Sequence, residues 1–532
     1  MSAATTSPRP NAAPRRATGR RYDEVPYLSH AVSNTDPESL ATMGVLFGMR
    51  PAAPERCRVL ELGCATGVNL AAMAVAHPEA RFLGIDASER QIEMARALAG
   101  SCGLTNLEFA RCDFVDLLED AGEFDYIVCH GVYSWVSRAR QRAILEIFSR
   151  HLAPQGIAYV SYNTLPGWHV RLMAREMMLF HVRGIPDAAE RIRQARALPH
   201  FLKRFETSKT GLYPKILEEF CENLSEETDD YVFHEYLEED NEPVYFSQLV
   251  AQAAASNLQY LAPASFIAWE HNLDAELTEM LSPVSNRLVR EQYLDFLSNR
   301  IFRRSLLCRS DATISQTPRR EAIPQLLAIG RATPVRPEVD IASDREERFQ
   351  SPPEQSLRTN RPVTKAVLVT LAERIPQAIS FAALRELALP RLAGGPEAGV
   401  GADTFAAALL QCHLSSVITL TVSVPPAAAA GAERPVASPV ARFQAGRSEP
   451  VVNLRHRNLD LPDLDLFLLP LLDGTRDGAA LADAFVRAVA AGDLKIESEG
   501  ATVADPAVAR EISAEAVNRG LEHLATSCLL MP

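Results

Sequence analysis

Between Arg58 and Thr164 the chain repeats one unit, a short apolar β-prone run followed by a helical stretch. "RVLELG" leads into "VNLAAMAVA", and "RFLGID" into "SERQIEMARALA", where Ser88 stands as N-cap and Gln91 at the capping-box position. "LEFARCDF" and "FDYIVCHG" read as two further strands, and a helix from about Arg138 to Leu152 precedes "GIAYVSYNT". Such alternation is satisfied by a parallel sheet with helices on both faces, so the expected fold class is α/β and Rossmann-like. Ligands of these sheets bind beyond the carboxyl ends of the strands, and the chemistry is expected there.

The first strand ends in "ELGCATG", Glu61 to Gly67. Its glycines let a ligand approach the backbone, but the dinucleotide form G-x-G-x-x-G would need glycine where Ala65 and Val68 stand. Glu61 would repel a pyrophosphate and suits a ligand with an ammonium group. The second strand ends in Asp86, placed to hydrogen-bond ribose hydroxyls. The third ends at Asp113, placed to accept from an adenine amino group. Acids closing three successive strands form a specific pattern, because capping acids have no reason to track strand ends. The pattern resembles class I methyltransferases, whose cofactor is S-adenosyl-L-methionine. That resemblance makes Glu61, Gly63, Ala65, Gly67, Asp86 and Asp113 the cofactor positions, with Ala65 in place of the commonest glycine.

The fifth strand closes in "SYNTLPGWH" beside the fourth, which closes in "CHGVYSWV". Together the two ends present His130, Tyr133, Trp135, Tyr162, Asn163 and Trp168 where the cofactor's sulfonium belongs. His130 is assigned to the cofactor, and Tyr133, Trp135 and Trp168 to the walls of an acceptor pocket. Aromatic faces attract a cation and exclude water, which suits an alkyl-ammonium. Tyr162 and Asn163 are expected to be catalytic, orienting the amine's remaining hydrogens. The competing account is that these rings fill a core beneath a turn.

Charge narrows the acceptor. The 532 residues carry a net −13, and Glu218 to Glu242 hold twelve acids with no Lys or Arg. A phosphate-backbone partner needs cationic clusters, so nucleic acid is disfavoured. The Asn/Asp-Pro-Pro-Tyr/Phe motif of amino-directed nucleic-acid methylases is also absent. The acidic stretch either faces water as a solubilising surface or draws in a basic protein segment. The nine cysteines contain no C-x-x-C pair and the 12 histidines are dispersed, so no metal site is expected. No run approaches the ~20 apolar residues of a membrane span. The basic stretch 1–20 reads as a disordered tail and not as an export signal, which points to the cytoplasm.

"YDEVPY", "HGVYSWV", "YNTLPGW" and "HEYLEEDNEPVYF" resemble bacterial outer-membrane-protein lysine methyltransferases and their wider family, from about Tyr22 to Asp311. Members carry a methyltransferase regulatory domain after the catalytic sheet. The resemblance implies a lid over the cofactor that brings in Tyr22 and Tyr27. It implies a lysine-bearing protein acceptor, such as an outer-membrane protein before export, and is compatible with a homodimer. A small amine or hydroxyl acceptor, or a cofactor-binding regulator that has lost transfer, are the competing classes.

"NLQYLA" and "FRRSLLCRS" supply the last two of seven strands. The catalytic domain is then 21–315, with a helical insertion at about 165–243, a second at roughly 264–300, and a regulatory region at about 216–300. A Pro-, Arg- and Ser-rich linker is expected at 316–360, a winged-helix-like module at 361–425, an Ala/Pro linker at 426–445 and a C-terminal module at 446–532. The acids of "DLPDLDLFLLPLL" read as helix-start groups. The paired modules are expected to serve as a protein-docking arm.

Overall fold

The computed structural model describes residues 19–27, 29–118, 121–207, 210–266, 275–352, 355–429, 431–447, 450–494, 497–498, 501–502 and 506–532. The basic tail, apart from its last two residues, lies outside the described residues. Seven strands form the main sheet: β1 (Arg58–Leu62), β2 (Arg81–Asp86), β3 (Leu107–Arg111), β4 (Phe124–Cys129), β5 (Leu152–Asn163), β6 (Leu258–Pro263) and β7 (Phe302–Arg309). Their order is β3-β2-β1-β4-β5-β7-β6, and β7 alone runs against its neighbours. The order reverses between β1 and β4, and a crevice must open at their carboxyl ends.

The helices follow in chain order. A short α1 (Gly19–Glu24) precedes α2 (Pro37–Leu46), α3 (Val68–Ala76), α4 (Glu89–Ser101) and α5 (Arg138–His151). After β5 come α6 (Trp168–His181), α7 (Ala188–Phe205), α8 (Tyr213–Glu226), α9 (Asp229–Tyr236) and α10 (Phe246–Ala255). Between β6 and β7 lie α11 (Ala275–Leu281) and α12 (Arg287–Leu297).

Period-two alternation divides the strand residues between two cores. Val59, Tyr126, Val128, Ile157 and Tyr159 face α2, α3 and α4. Leu60, Leu62, Ile127, Cys129, Ala158, Val160 and Tyr162 face α5 and α10. The insertion α6–α9 has its own core, built on Met178, Ala195, Phe220, Val232 and Phe233. Thr228 caps α9 by accepting from Tyr231 N, which fixes where the acidic stretch becomes helical.

The stretch expected as a linker at 316–360 is structured. Residues 320–325 form a 3₁₀ turn, and Glu347–Ser351 pairs antiparallel with Gln355–Thr359. Leu327–Gly330 is the central strand of a small antiparallel sheet between Ala378–Ser380 and Ile418–Thr421. Polar composition concealed the alternation of "ERFQS", in which Phe349 is fully buried. Three helices, Pro362–Ala372, Phe381–Ala388 and Ala402–Leu414, pack on this sheet.

The Ala/Pro linker also ends earlier than expected, because Ser438 caps a helix at Pro439–Ala445. The C-terminal acids do start a helix: Asp463 and Asp465 occupy its first turn, and Asp465 also pairs with His523. The expected arm is not held apart from the sheet. Phe349, Val363, Leu384, Phe405 and Ile418 belong to one apolar cluster with Leu40 and Met43 of α2. Each such fully buried side chain stabilises the joined unit by about 1.5–3 kcal/mol.

Candidate active site

A cleft of about 610 Å³ opens over the carboxyl ends of β1, β2, β4 and β5. Tyr22 and Tyr27, segment Ser29–Ser33, Trp168 and Arg171 of α6, and Tyr231, His234 and Glu235 of α9 close it from above. Phe302 and Arg304 at the start of the reversed β7 complete one wall.

The end under β1 and β2 is built for a nitrogen base, a sugar and a cation. Glu61 is 4% exposed, and its Oε1 accepts from Asn69 Nδ2 at 2.7 Å. Its Oε2 has no protein partner, and burial pushes the carboxyl up to about 8. A buried carboxylate oxygen left in that state is costly unless a donor arrives. Gly63 turns the chain at φ +72°, where an added Cβ would lie 2.4 Å from Val132 Cγ2. Ala65 takes the left-handed position at φ 47°, and its N–H donates to Asp86 Oδ2 at 3.1 Å. Ser88 N donates to Asp86 Oδ1 at 2.9 Å, so both oxygens are aimed while lone pairs stay open to the cleft. Asp113 faces the cleft but also accepts from Arg140 Nη2 at 2.5 Å, so an adenine amino group would share it with a guanidinium.

His130 contacts the Tyr159 hydroxyl at 3.0 Å, and burial lowers it to about 3, so the ring is neutral. Tyr22 stacks on His234 with ring centres 4.4 Å apart, and Tyr27 meets the same ring edge-on at 5.8 Å. His234 Nε2 donates to Val25 O at 2.7 Å, which clamps "YDEVPY" onto α9.

The end under β4 and β5 is aromatic and acidic. Trp135 and Trp168 meet edge to face at 6.3 Å, and Trp168 Nε1 donates to Asn241 Oδ1 at 2.8 Å. One face of each indole is taken: Arg175 lies over Trp135 at 5.0 Å and Arg171 over Trp168 at 5.3 Å. Gly167 explains the Pro-Gly turn before Trp168, since a Cβ there would come within 2.2 Å of Asn299 O. Asn163 is 3% exposed, lines the cleft, and its Nδ2 has no protein partner.

Three expected site residues do not face the cleft. Tyr162 is 1% exposed in the core beneath α10, with its hydroxyl 3.1 Å from Ser305 Oγ. Adjacent strand residues point to opposite faces, so Tyr162 and Asn163 cannot serve one site. Tyr133 turns down into the same core and donates to Gln252 Oε1 at 2.5 Å. Gly67 starts α3 at φ +80° and packs against Phe109, so it shapes the turn without touching the cleft.

Sequence reasoning also missed residues the cleft holds. Glu235 is 18% exposed and accepts from Arg171 Nη1 at 3.2 Å. Burial raises it to about 7 despite the attraction of Arg171 and Arg175. Its signals were membership of the acidic run and of the motif "HEYLEEDNEPVYF", neither of which gave an address for one acid among twelve. Asn69, Ser29, Arg304 and Tyr231 carried no motif at all. Among the described residues no group of three metal-ligating side chains is found, and no helix is long and apolar enough to cross a membrane.

Comparison with known proteins gives the fold a lineage. The structure of PKMT2 from Rickettsia typhi, also solved in complex with AdoHcy, matches with a TM-score of 0.82 and 31% identity. The match covers 95% of this chain and 100% of that one. An uncharacterized protein of Rickettsia prowazekii is 34% identical over 517 residues, covering 95% of this chain and 91% of the relative. The chain belongs to the PKMT family of class I methyltransferases. Models for a methyltransferase domain, a predicted methyltransferase regulatory domain and the PKMT C-terminal winged helix domain match residues 59–156, 228–309 and 433–529. The regulatory match in this PKMT-family chain runs from α9 to β7, so it contains the α9 part of the cleft's roof and two strands of the catalytic sheet. The winged helix named by the family model is the C-terminal module. S-adenosylmethionine is the cofactor, and the unpartnered Glu61 Oε2 and the aimed Asp86 carboxylate fit its ammonium and ribose groups.

Proposed function

We propose that this enzyme transfers methyl groups to lysine side chains of a protein substrate, in the cytoplasm and before that substrate is exported. The observation that carries the reading is the composition of the cleft's acceptor end. There a half-buried carboxyl of near-neutral pKa, Glu235, shares a pocket with Trp135, Trp168 and the Asn163 amide. The likeness to PKMT2, reading its abbreviation as protein lysine methyltransferase, supports the same acceptor class.

The bound cofactor supplies an electrophilic methyl group on a sulfonium. Glu61 would hold its ammonium, Asp86 its ribose hydroxyls, and Tyr22 and Tyr27 would cover it. A free lysine titrates near ~10.4 and arrives as an ammonium, which has no lone pair to give. Glu235 takes one N–H proton onto a carboxylate oxygen, leaving a neutral amine. Trp135 and Trp168 hold the alkyl stem and keep water away, and the Asn163 amide orients the remaining hydrogens. In-line displacement asks for this alignment more than for further chemistry.

The test is incubation with labelled S-adenosylmethionine and a cell-envelope fraction, followed by mass spectrometry of labelled bands. Methyl-lysine in a protein is the expected result. Label confined to low-mass compounds would move the acceptor to a small amine or hydroxyl compound. Absence of label in either fraction would sink the transfer reading.

A further inference from the structure

The C-terminal module reaches into the cofactor cleft. Its loop 453–458, "NLRHRN", is braced internally: Asn453 Oδ1 accepts from Arg455 N and Arg457 N, both at 3.0 Å. Asn453 Nδ2 donates to Ser527 O at 2.9 Å, and Arg455 Nη1 to Pro376 O of the preceding module at 2.6 Å. The braced loop presents two side chains. Asn458 lines the cleft and donates to Ala31 O of the segment above it at 2.8 Å. His456 is 6% exposed, and its Nε2 lies 2.8 Å from Asn69 Oδ1.

The hydrogen-bond directions follow from a backbone donor. Val32 N–H points at Asn69 Oδ1 from 2.8 Å, so that atom is the acceptor and the amide Nδ2 faces Glu61 Oε1. His456 must then carry its proton on Nε2 and donate to the same oxygen. Burial lowers His456 to about 4, so the ring is neutral and Nε2 holds its one proton. Its Nδ1 is left without a partner, and the residue sits at φ 56°, in the left-handed region. Packing alone does not require a buried histidine under those two penalties.

We infer that His456 is a positioning residue for the cofactor site, locking the Asn69 amide so that Glu61 stays aimed at the cofactor's ammonium, and that the winged-helix module is thereby part of that site. The inference rests on the cofactor assignment. Losing one orienting hydrogen bond at a buried charge corresponds to about a ten-fold loss of affinity.

The test measures S-adenosylhomocysteine binding by calorimetry in the full-length protein. His456→Asn tolerates the left-handed backbone but is one bond too short to reach Asn69. His456→Gln places an amide N–H at the distance of the imidazole Nε2. His456→Asn should bind about ten-fold more weakly with an unchanged ligand-free melting midpoint, and His456→Gln should recover most of that loss. In a Glu61→Gln background, His456→Asn should add little. Binding by His456→Asn within two-fold of wild type would overturn the inference. So would equal weakening in both variants with a matching drop in melting midpoint, since that marks a purely structural residue. Wild type failing to bind would instead overturn the cofactor assignment, and this inference with it.

Discussion

Replacing Glu235 with Gln should stabilise the protein and disable it at once. Burial raises Glu235 from its ordinary 4.5 to about 7, and that value already contains the attraction of Arg171 and Arg175 and the repulsion of Glu227. Tyr231, which shares Arg171 with it, and the rings of Tyr22, Tyr27 and Tyr236 are further titratable groups nearby. Holding this carboxylate ionised therefore costs the fold about 3 kcal/mol at pH 8. The sign follows from proton counts. Between pH 4.5 and 7 the folded state keeps a proton that the unfolded state has released, so this group's contribution is full below 4.5 and lost above 7. Glu235→Gln mimics the protonated form, and Arg171 still finds an acceptor in its amide oxygen. The melting midpoint of the variant should rise by about 3–5 °C at pH 8 and match wild type near pH 4.5, followed by scanning calorimetry. In the same samples, wild-type kcat/KM should climb through an acid limb centred near pH 7. The variant should lose that limb and about 100-fold in rate, the lower range for a general base. A variant that keeps wild-type activity and its pH limb would refute the role of Glu235 in proton removal. A variant no more stable at pH 8 would refute the burial argument itself.

Asp86→Ala, or Gly63→Val, which places a Cβ against Val132 at φ +72°, should abolish or strongly weaken S-adenosylmethionine binding by calorimetry, while NAD should give no heat in the wild type. Asn163→Ala should lower methyl transfer by about ten-fold or more with cofactor affinity nearly intact; comparable loss of both would make Asn163 a structural residue. Tyr162→Phe should leave turnover within two-fold and cost about 1 kcal/mol of stability through its lost bond to Ser305, as read from denaturant melts. A large fall in turnover there would return Tyr162 to the site. Trp168→Ala, which strips one acceptor wall and the contact with Asn241, should raise KM for a protein acceptor more than it changes cofactor binding.

The parts of this protein legible in its sequence are those set by neighbours a few positions apart. Strand and helix period, the Ser88 cap, the glycine turn and the acids ending β1, β2 and β3 all follow from local spacing, whereas the family came from the likeness of whole motifs. The same likeness implied the lid: "YDEVPY" lines the roof of the cleft, and its clamp, His234, opens the motif "HEYLEEDNEPVYF" without having been given a role. Tyr162 shows the first limit. Composition at a strand end suggests a site, but only the packed sheet decides which face each alternate residue meets. The supposed linker shows the second, since a strand as polar as "ERFQS" is held by what it pairs with and not by its own preference. The acceptor carboxylate and the loop entering the cofactor site show the third. Glu235 differs from eleven other acids only in what surrounds it, and burial, which no local pattern encodes, sets its proton affinity. His456 and Asn69 are 387 positions apart, and their contact exists only because two modules and the sheet close around a shared core. Short-range spacing determines which elements form; desolvation and through-space contact, which depend on the whole packed chain, decided which of their side chains meet the cofactor and the amine.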